Sequence, residues 1–307
     1  MTDPQYETAL TSPAGRSPVS MEVEDGVAIL TMDLADEPVN KVTRGVRDAM
    51  MDAFDRIDRD GSIKAAVLIS GKPDSFLAGA DIEEFTRLKD AADAEQLSRD
   101  GQALVEHFEK LRVPFVAAIH GACLGAGVES ALACRWRIAT SDPRTMLAFP
   151  EVQLGLIPGA GGTQRLPRLI GLRAALDMIL TSKNIRAKKA LQIGLVDEMV
   201  HPAILRRIAI DRARALGEGR LKRPQRSGGA MGLLLDSNPV GRGIVFRKAR
   251  EETEKKTHGN GSAPLVASEA SEAGLSRGIP AGLREEARLF VEMASTDASK
   301  HLIFLFF

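Results

Sequence analysis

Two glutamates in glycine-rich settings are the residues of this chain best suited to chemistry. Glu129 ends the stretch Gly121-Ala122-Cys123-Leu124-Gly125-Ala126-Gly127-Val128-Glu129. Glu151 follows Phe149-Pro150 and precedes an apolar run that closes on Pro158-Gly159-Ala160-Gly161-Gly162. Small residues let a ligand approach the backbone and leave N–H groups free to bind it. Two carboxyls near such donors can move protons while the donors hold a developing negative charge. That combination points to a carbonyl compound. Each piece alone has a blander reading. Glu129 reads as a first-turn glutamate that stabilises its helix. Glu151 is either a solvated loop residue or a partly buried acid whose pKa is raised by desolvation. A third small-residue segment, Ala78-Gly79-Ala80 before Asp81 and Ile82, reads by itself as a tight turn. Gly159–Gly162 lacks the Lys-Ser/Thr of a phosphate loop and fails the dinucleotide fingerprint.

These residues need a scaffold. Val27–Met32, Ala65–Ser70 and Phe115–Ile119 are short apolar runs that read as strands. Residues 43–59 carry apolar side chains at Val46, Met50, Ala53, Phe54 and Ile57, the spacing of a helix capped by Thr43. Further helices are expected at 96–111, 172–180 and 187–193. The alternation predicts an α/β fold of stacked ββα or βαβ turns. Gly217–Gly232 reads as a linker, followed by helices at 240–256, 283–293 and 298–307 and a turn at 258–263.

Composition removes several function classes. With 41 basic and 41 acidic residues, no overall field favours nucleic acid or an anionic membrane. Residues 1–20 are polar and lack the apolar core of a secretion signal. No run is long and apolar enough to span a bilayer, so a cytoplasmic protein is expected. Cys123 and Cys134 have no zinc-site partners and read as packing residues. The five histidines are scattered, so neither a metal site nor a Ser-His-Asp arrangement can be read from them.

Taken together, Asn40, the Ala78–Asp81 turn, the glycine turn before Glu129 and the stretch Pro150–Arg165 resemble the crotonase (enoyl-CoA hydratase/isomerase) superfamily over residues 26–200. The stretch around Gln164–Leu169 looks closest to the hydratase half of bacterial multifunctional fatty-acid oxidation α-subunits. The resemblance implies a crotonase-like repeated ββα superhelix: a loose N-terminus over 1–20, a catalytic core over 21–216, and a linker and helical C-terminal region over 217–307 that is cut before a dehydrogenase domain. It implies that Glu129 and Glu151 are the catalytic acids, with the backbone N–H groups of Ala80 and Ala126 forming the oxyanion hole. Ala78, Gly79, Asp81, Ile82, Gly125, Gly127, Pro158 and Gly159 are the implied substrate-binding positions. The implied reaction is syn hydration of trans-2-enoyl-CoA to 3-hydroxyacyl-CoA in fatty-acid β-oxidation, with Δ3-Δ2-enoyl-CoA isomerisation as a companion activity. No metal or cofactor is implied, since CoA is part of the substrate. Candidate partners are a 3-hydroxyacyl-CoA dehydrogenase domain, a thiolase subunit and a second copy of the chain; no nucleic acid is implied. The rival is a catalytically weak or non-catalytic acyl-CoA-binding or scaffold fragment.

Two positions depart from the family's pattern. Ala126 stands where glycine is usual, and Ser130 where a larger apolar residue is usual. A Cβ at Ala126 is expected to narrow the hole, or to strain the backbone if φ there is positive. Lys72, Arg165, Arg168, Arg247 and Lys248 are candidate CoA-phosphate partners, each more simply a solvated surface charge. The apolar side chains of Leu283, Ala287, Phe290, Met293, Leu302, Phe304 and Phe307 are expected to dock the C-terminal helices on the core, over its acyl-binding side.

Overall fold

A computed structural model describes residues 17–222, 236, 238–257 and 262–306. Strands β1 (Val19–Glu24) and β2 (Val27–Met32) form an antiparallel hairpin, and both turn residues, Asp25 and Gly26, have positive φ. That conformation matches the right-handed twist of the paired strands. Helix α1 (Arg44–Arg59) starts at Thr43, whose hydroxyl accepts from the Val46 N–H, and it buries the five apolar residues read from the sequence.

The chain then repeats one pattern three times. β3 (Ala65–Ser70) leads to β4 (Ser75–Leu77), then to helices α2 (Ile82–Thr86) and α3 (Ala91–Lys110). β5 (Phe115–Ile119) leads to β6 (Ala122–Leu124) and α4 (Ala126–Ala133). β7 (Trp136–Thr140) leads to β8 (Met146–Ala148), a 3-10 turn at Glu151–Leu154 and α5 (Gly162–Ile170). Helix α6 (Leu172–Thr181), β9 (Ile185–Arg186), α7 (Ala187–Ile193), β10 (Glu198–Val200) and α8 (Leu205–Gly217) follow.

Each pass places its first strand in one sheet and its second in another. The larger sheet runs β1-β2-β3-β5-β7-β10, and the smaller runs β4-β6-β8-β9. β4, β6 and β8 are parallel neighbours, so the segments leaving their C-terminal ends emerge side by side. Those segments carry Ala80, Ala126 and Glu151. The interior strands β3 and β5 are almost wholly apolar, as strands covered on both faces must be.

The C-terminal region contains α9 (Pro239–Thr257), α10 (Ser262–Arg277), α11 (Ile279–Ala294) and α12 (Asp297–Phe306). Residues 1–16, most of the linker expected over 217–232 and residues 258–261 lie outside the described part. Helix α10 replaces the expected continuation of that turn. Its buried face is Ala263, Ala267, Ser268, Ala270, Ser271, Ala273 and Gly274. Small side chains there let α10 and α11 cross closely: a Cβ on Gly282 would stand 2.5 Å from Gly274 Cα. Helix α3 begins earlier than expected because Asp90 caps it, accepting from the Ala92 and Asp93 N–H groups.

Helix α11 packs on α3 and α5, burying Leu283, Ala287, Phe290 and Met293. The expected burial of the last helix is only partly met. Ile303 is buried, but Leu302 is exposed and Phe304 remains 78% exposed, because α12 presents only one narrow face to the core. Phe307 lies outside the described residues.

Candidate active site

Glu129 sits one turn into α4, and Gly125 makes that placement feasible. Its φ of 49° turns the chain sharply from β6 into the helix. Gly127 is needed for close packing, since a Cβ there would collide with the Leu77 carbonyl of β4. The first-turn N–H of Ala126 is left without an intrahelical partner. Ala126 itself has ordinary helical backbone; the positive φ falls on Gly125, so the expected strain at Ala126 does not arise.

Ala80 follows β4 and bridges to Val42. In that bridge the Val42 N–H donates to Gly79 and the Asp81 N–H donates to Val42, while the Ala80 N–H has no hydrogen-bond partner among the described residues. Asn40 fixes this segment. Its side-chain amide donates to the Met32 carbonyl at 2.9 Å and to Ser70 Oγ at 2.9 Å, and its backbone carbonyl accepts from the Ala78 N–H at 2.8 Å.

The two acids differ in their surroundings. Glu129 is buried, and its Oε1 accepts from the Ala160 N–H at 2.8 Å and the Gly162 N–H at 2.7 Å. Burial raises its pKa, and those two donors and the Arg165 guanidinium oppose the rise. Glu151 is partly buried as a residue, and its Oε2 is enclosed and has no hydrogen-bond partner among the described residues. Burial first, and then the charge of Glu129, hold its carboxyl well above the usual range. The two environments therefore favour charge on Glu129 and a proton on Glu151.

Both acids open into one cavity of about 120 Å³. Ala78, Gly79, Ala80, Ile82, Gly125, Ala126 and Gly159, all read from the sequence as site positions, also line it. Three such positions do not. Asp81 caps α2, accepting from the Glu83 N–H and pairing with Lys41 at 3.3 Å. Gly127 is taken up by the contact with Leu77, and Pro158 is buried behind the wall. Apolar surface comes from Val42, Leu97, Leu154, Leu156, Ile157 and a ring pair, Phe85 and Phe290, whose centroids are 6.0 Å apart.

The structure also revises the charged candidates. Arg165 forms a two-armed pair with Glu109 and donates to the Ala160 carbonyl, while Arg168 donates to the Gly274 and Gln164 carbonyls. Lys72 is held by Asp33 and the Leu34 carbonyl. These three brace the scaffold; Arg247 and Lys248 are exposed on α9. Both cysteines are free and buried, and burial pushes their thiols up, Cys134 to about 12, which leaves them protonated packing groups. Among the described residues, no cluster of His, Cys, Asp and Glu could hold a metal ion.

One residue at the site was missed from the sequence. Glu286 of α11 is fully buried and accepts from the Gly161 N–H at 2.7 Å, the Thr163 N–H at 3.2 Å, Thr163 Oγ1 at 2.5 Å and Gln102 Nε2 at 3.1 Å. Burial and the nearby Glu129 push its pKa up to about 8. Its only sequence signal is a glutamate flanked by Leu283, Ala287 and Phe290, on the apolar side of a helix where a solvated charge does not belong.

Residues 22–223 match the family model described as enoyl-CoA hydratase/isomerase. The chain belongs to that family. Among curated relatives, the fatty acid oxidation complex subunit alpha of Shewanella sp. (strain MR-4) is 45% identical over 284 residues, covering 92% of this chain and 40% of the relative. The subunit of the same name from Idiomarina loihiensis is 44% identical over 289 residues, covering 94% and 40%. The chain thus spans about 40% of the length of these relatives. Its crotonase-type fold is shared with an enoyl-CoA hydratase/isomerase from Mycobacterium paratuberculosis (TM-score 0.69, 21% identity, 94% of this chain and 98% of that one). It is shared also with human mitochondrial delta3-delta2-enoyl-CoA isomerase (TM-score 0.67, 21% identity, 94% and 96%). No helix among the described residues is long and apolar enough to cross a membrane.

Proposed function

We propose that this family member hydrates trans-2-enoyl-CoA thioesters, adding water syn to give the 3-hydroxyacyl-CoA. The observation that carries the reading is the unequal pair of acids on one cavity wall, beside two N–H groups without other partners. The thioester oxygen accepts from the Ala80 and Ala126 N–H groups as negative charge builds on it; one such donor is typically worth about 10²–10³ in rate. Glu129, whose charged form the Ala160 and Gly162 N–H groups favour, takes a proton from water as the water oxygen bonds to C3. Glu151, held neutral, gives its proton to C2. Passage of the proton gained by Glu129 back to Glu151 restores both acids, so the reaction needs no further co-reactant than water.

A cavity of about 120 Å³ is too small for a whole CoA thioester, since drug-sized ligands fill roughly 300–1,000 Å³. The acyl end and the carbonyl occupy it, and the nucleotide part stays outside. The neutral acid beside an apolar wall also suits proton return in a Δ3-Δ2 double-bond shift, which the same pocket would carry as a companion activity. The name of the relatives, a subunit of a fatty acid oxidation complex, supports fatty-acid oxidation as the setting. The same name, a subunit of a complex, supports a partner protein or domain, for which a dehydrogenase domain or thiolase subunit is our candidate. Against the non-catalytic alternative stand the unstrained Ala126 and the intact acid pair.

The test is direct: mix the protein with short and long trans-2-enoyl-CoA and follow the loss of the conjugated enoyl-thioester absorbance. Turnover supports hydration. Tight binding without turnover would support the scaffold alternative.

A further inference from the structure

The turn between the cavity and α5 is gripped from two sides. Its N–H groups alternate: Ala160 and Gly162 donate to Glu129, whereas Gly161 and Thr163 donate to Glu286. The second grip is itself fixed. Gln102 of α3 donates to both Glu286 Oε1 and the Leu283 carbonyl, so it holds the carboxyl and the helix that bears it. Thr163 Oγ1 donates to Glu286 Oε2 and accepts from Gln164 Nε2, whose amide also donates to the Ala270 carbonyl of α10. Gly161 has φ +97°, a backbone state that the surrounding contacts must maintain.

We infer that Glu286 is a positioning residue for Glu129: by holding Gly161 and Thr163 from the C-terminal helices, it aims the intervening N–H groups at the Glu129 carboxyl. Glu286 lies outside the 22–223 segment that matches the family, so this support is supplied by the C-terminal region. The inference rests on the reading of Glu129 as the acid/base. Without the second grip the turn can relax toward α11 and draw the Ala160 and Gly162 N–H groups away from the Glu129 carboxyl. The effect should appear mainly in the chemical step, because Glu286 itself does not line the cavity.

The test uses the whole chain and a short trans-2-enoyl-CoA. E286A, E129Q and the double variant are compared with wild type by kcat and KM, with folding checked by circular dichroism. E286A should lower kcat about ten- to hundredfold while KM moves less than about threefold. In the E129Q background the same change should alter the residual rate by less than about threefold, since the group it acts through is already gone. E286Q keeps an acceptor for the Gly161 N–H and should recover part of the rate. A folded E286A with normal kcat overturns the inference, as does an equal loss in both backgrounds, which is what a purely structural role produces. Should E286A not fold, E286Q and T163V carry the same two comparisons. E129Q at full rate would instead overturn the hydratase reading, and this inference with it.

Discussion

Gly125 is the surface against which the Glu151 carboxyl rests: a Cβ built on Gly125 would overlap Glu151 Oε1. The helix that carries one acid therefore begins at a residue whose bareness makes room for the other. Gly125→Ala should displace Glu151 and strain a backbone at φ 49°, lowering hydration by at least about tenfold with the fold retained. Steady-state kinetics with a melting curve checks this, and normal turnover would show that Glu151 is not needed where it stands.

Glu129→Gln and Glu151→Gln should each lower hydration by at least about 10²-fold and leave acyl-CoA binding largely intact. Enoyl-thioester absorbance gives the rate, and calorimetry with a saturated acyl-CoA gives the affinity. Near-normal turnover in either variant would refute the two-acid mechanism.

Ala126→Gly should keep turnover within about threefold of wild type. Ala126 is already helical and presents its N–H, so removing the Cβ costs at most about 1 kcal/mol of helix propensity. A large rise would mean that the methyl group crowds the thioester after all.

Stability should fall as pH rises across neutrality. A carboxyl whose pKa is higher folded than unfolded binds more protons in the folded state between the two values, so each pH step there favours unfolding. For Glu286 that window runs from 4.5 to about 8. Glu129 and Glu151 add slopes of the same sign, while the neighbouring Arg165 offsets part of the rise at Glu129. At roughly 1.4 kcal/mol per pKa unit the Glu286 share amounts to several kcal/mol. Melting temperatures of wild type should therefore drop more steeply with pH than those of E286Q. Parallel curves would show that Glu286 does not titrate in this range.

Removing residues 279–306 should lower the melting temperature, expose apolar surface to a hydrophobic dye and depress hydration. The removed helix takes with it Phe290 of the cavity wall and the Glu286 carboxyl. Rapid proteolytic loss of this region with unchanged melting and activity would show it to be a loose tail.

Much of this site was legible because its residues are local. Glycine turns ahead of Glu129 and around Ala80 mark strand-to-helix junctions, and apolar strands before them mark the repeated turns. What could not be read is long-range. Glu286 meets Gly161 only because α11 folds back on α5, and no local spacing encodes that return. Helix α10 was lost for another reason: it buries alanine, serine and glycine, so it has no apolar stripe to betray a helix. Asp81, Gly127 and Pro158 lie off the cavity wall because family motifs mark whole segments, and some residues of each segment are used for capping or packing instead.

The double grip on the Ala160–Thr163 turn also sets an order of events during synthesis. Gly161 and Glu286 are separated by 125 residues, so on the ribosome the turn waits for its second holder. At about 5–20 residues per second that delay is roughly 6–25 s. A nascent chain can complete both sheets and present both acids before the carboxyl group that steadies Glu129 has been made. The full catalytic rate would then arrive late, with the docking of α11.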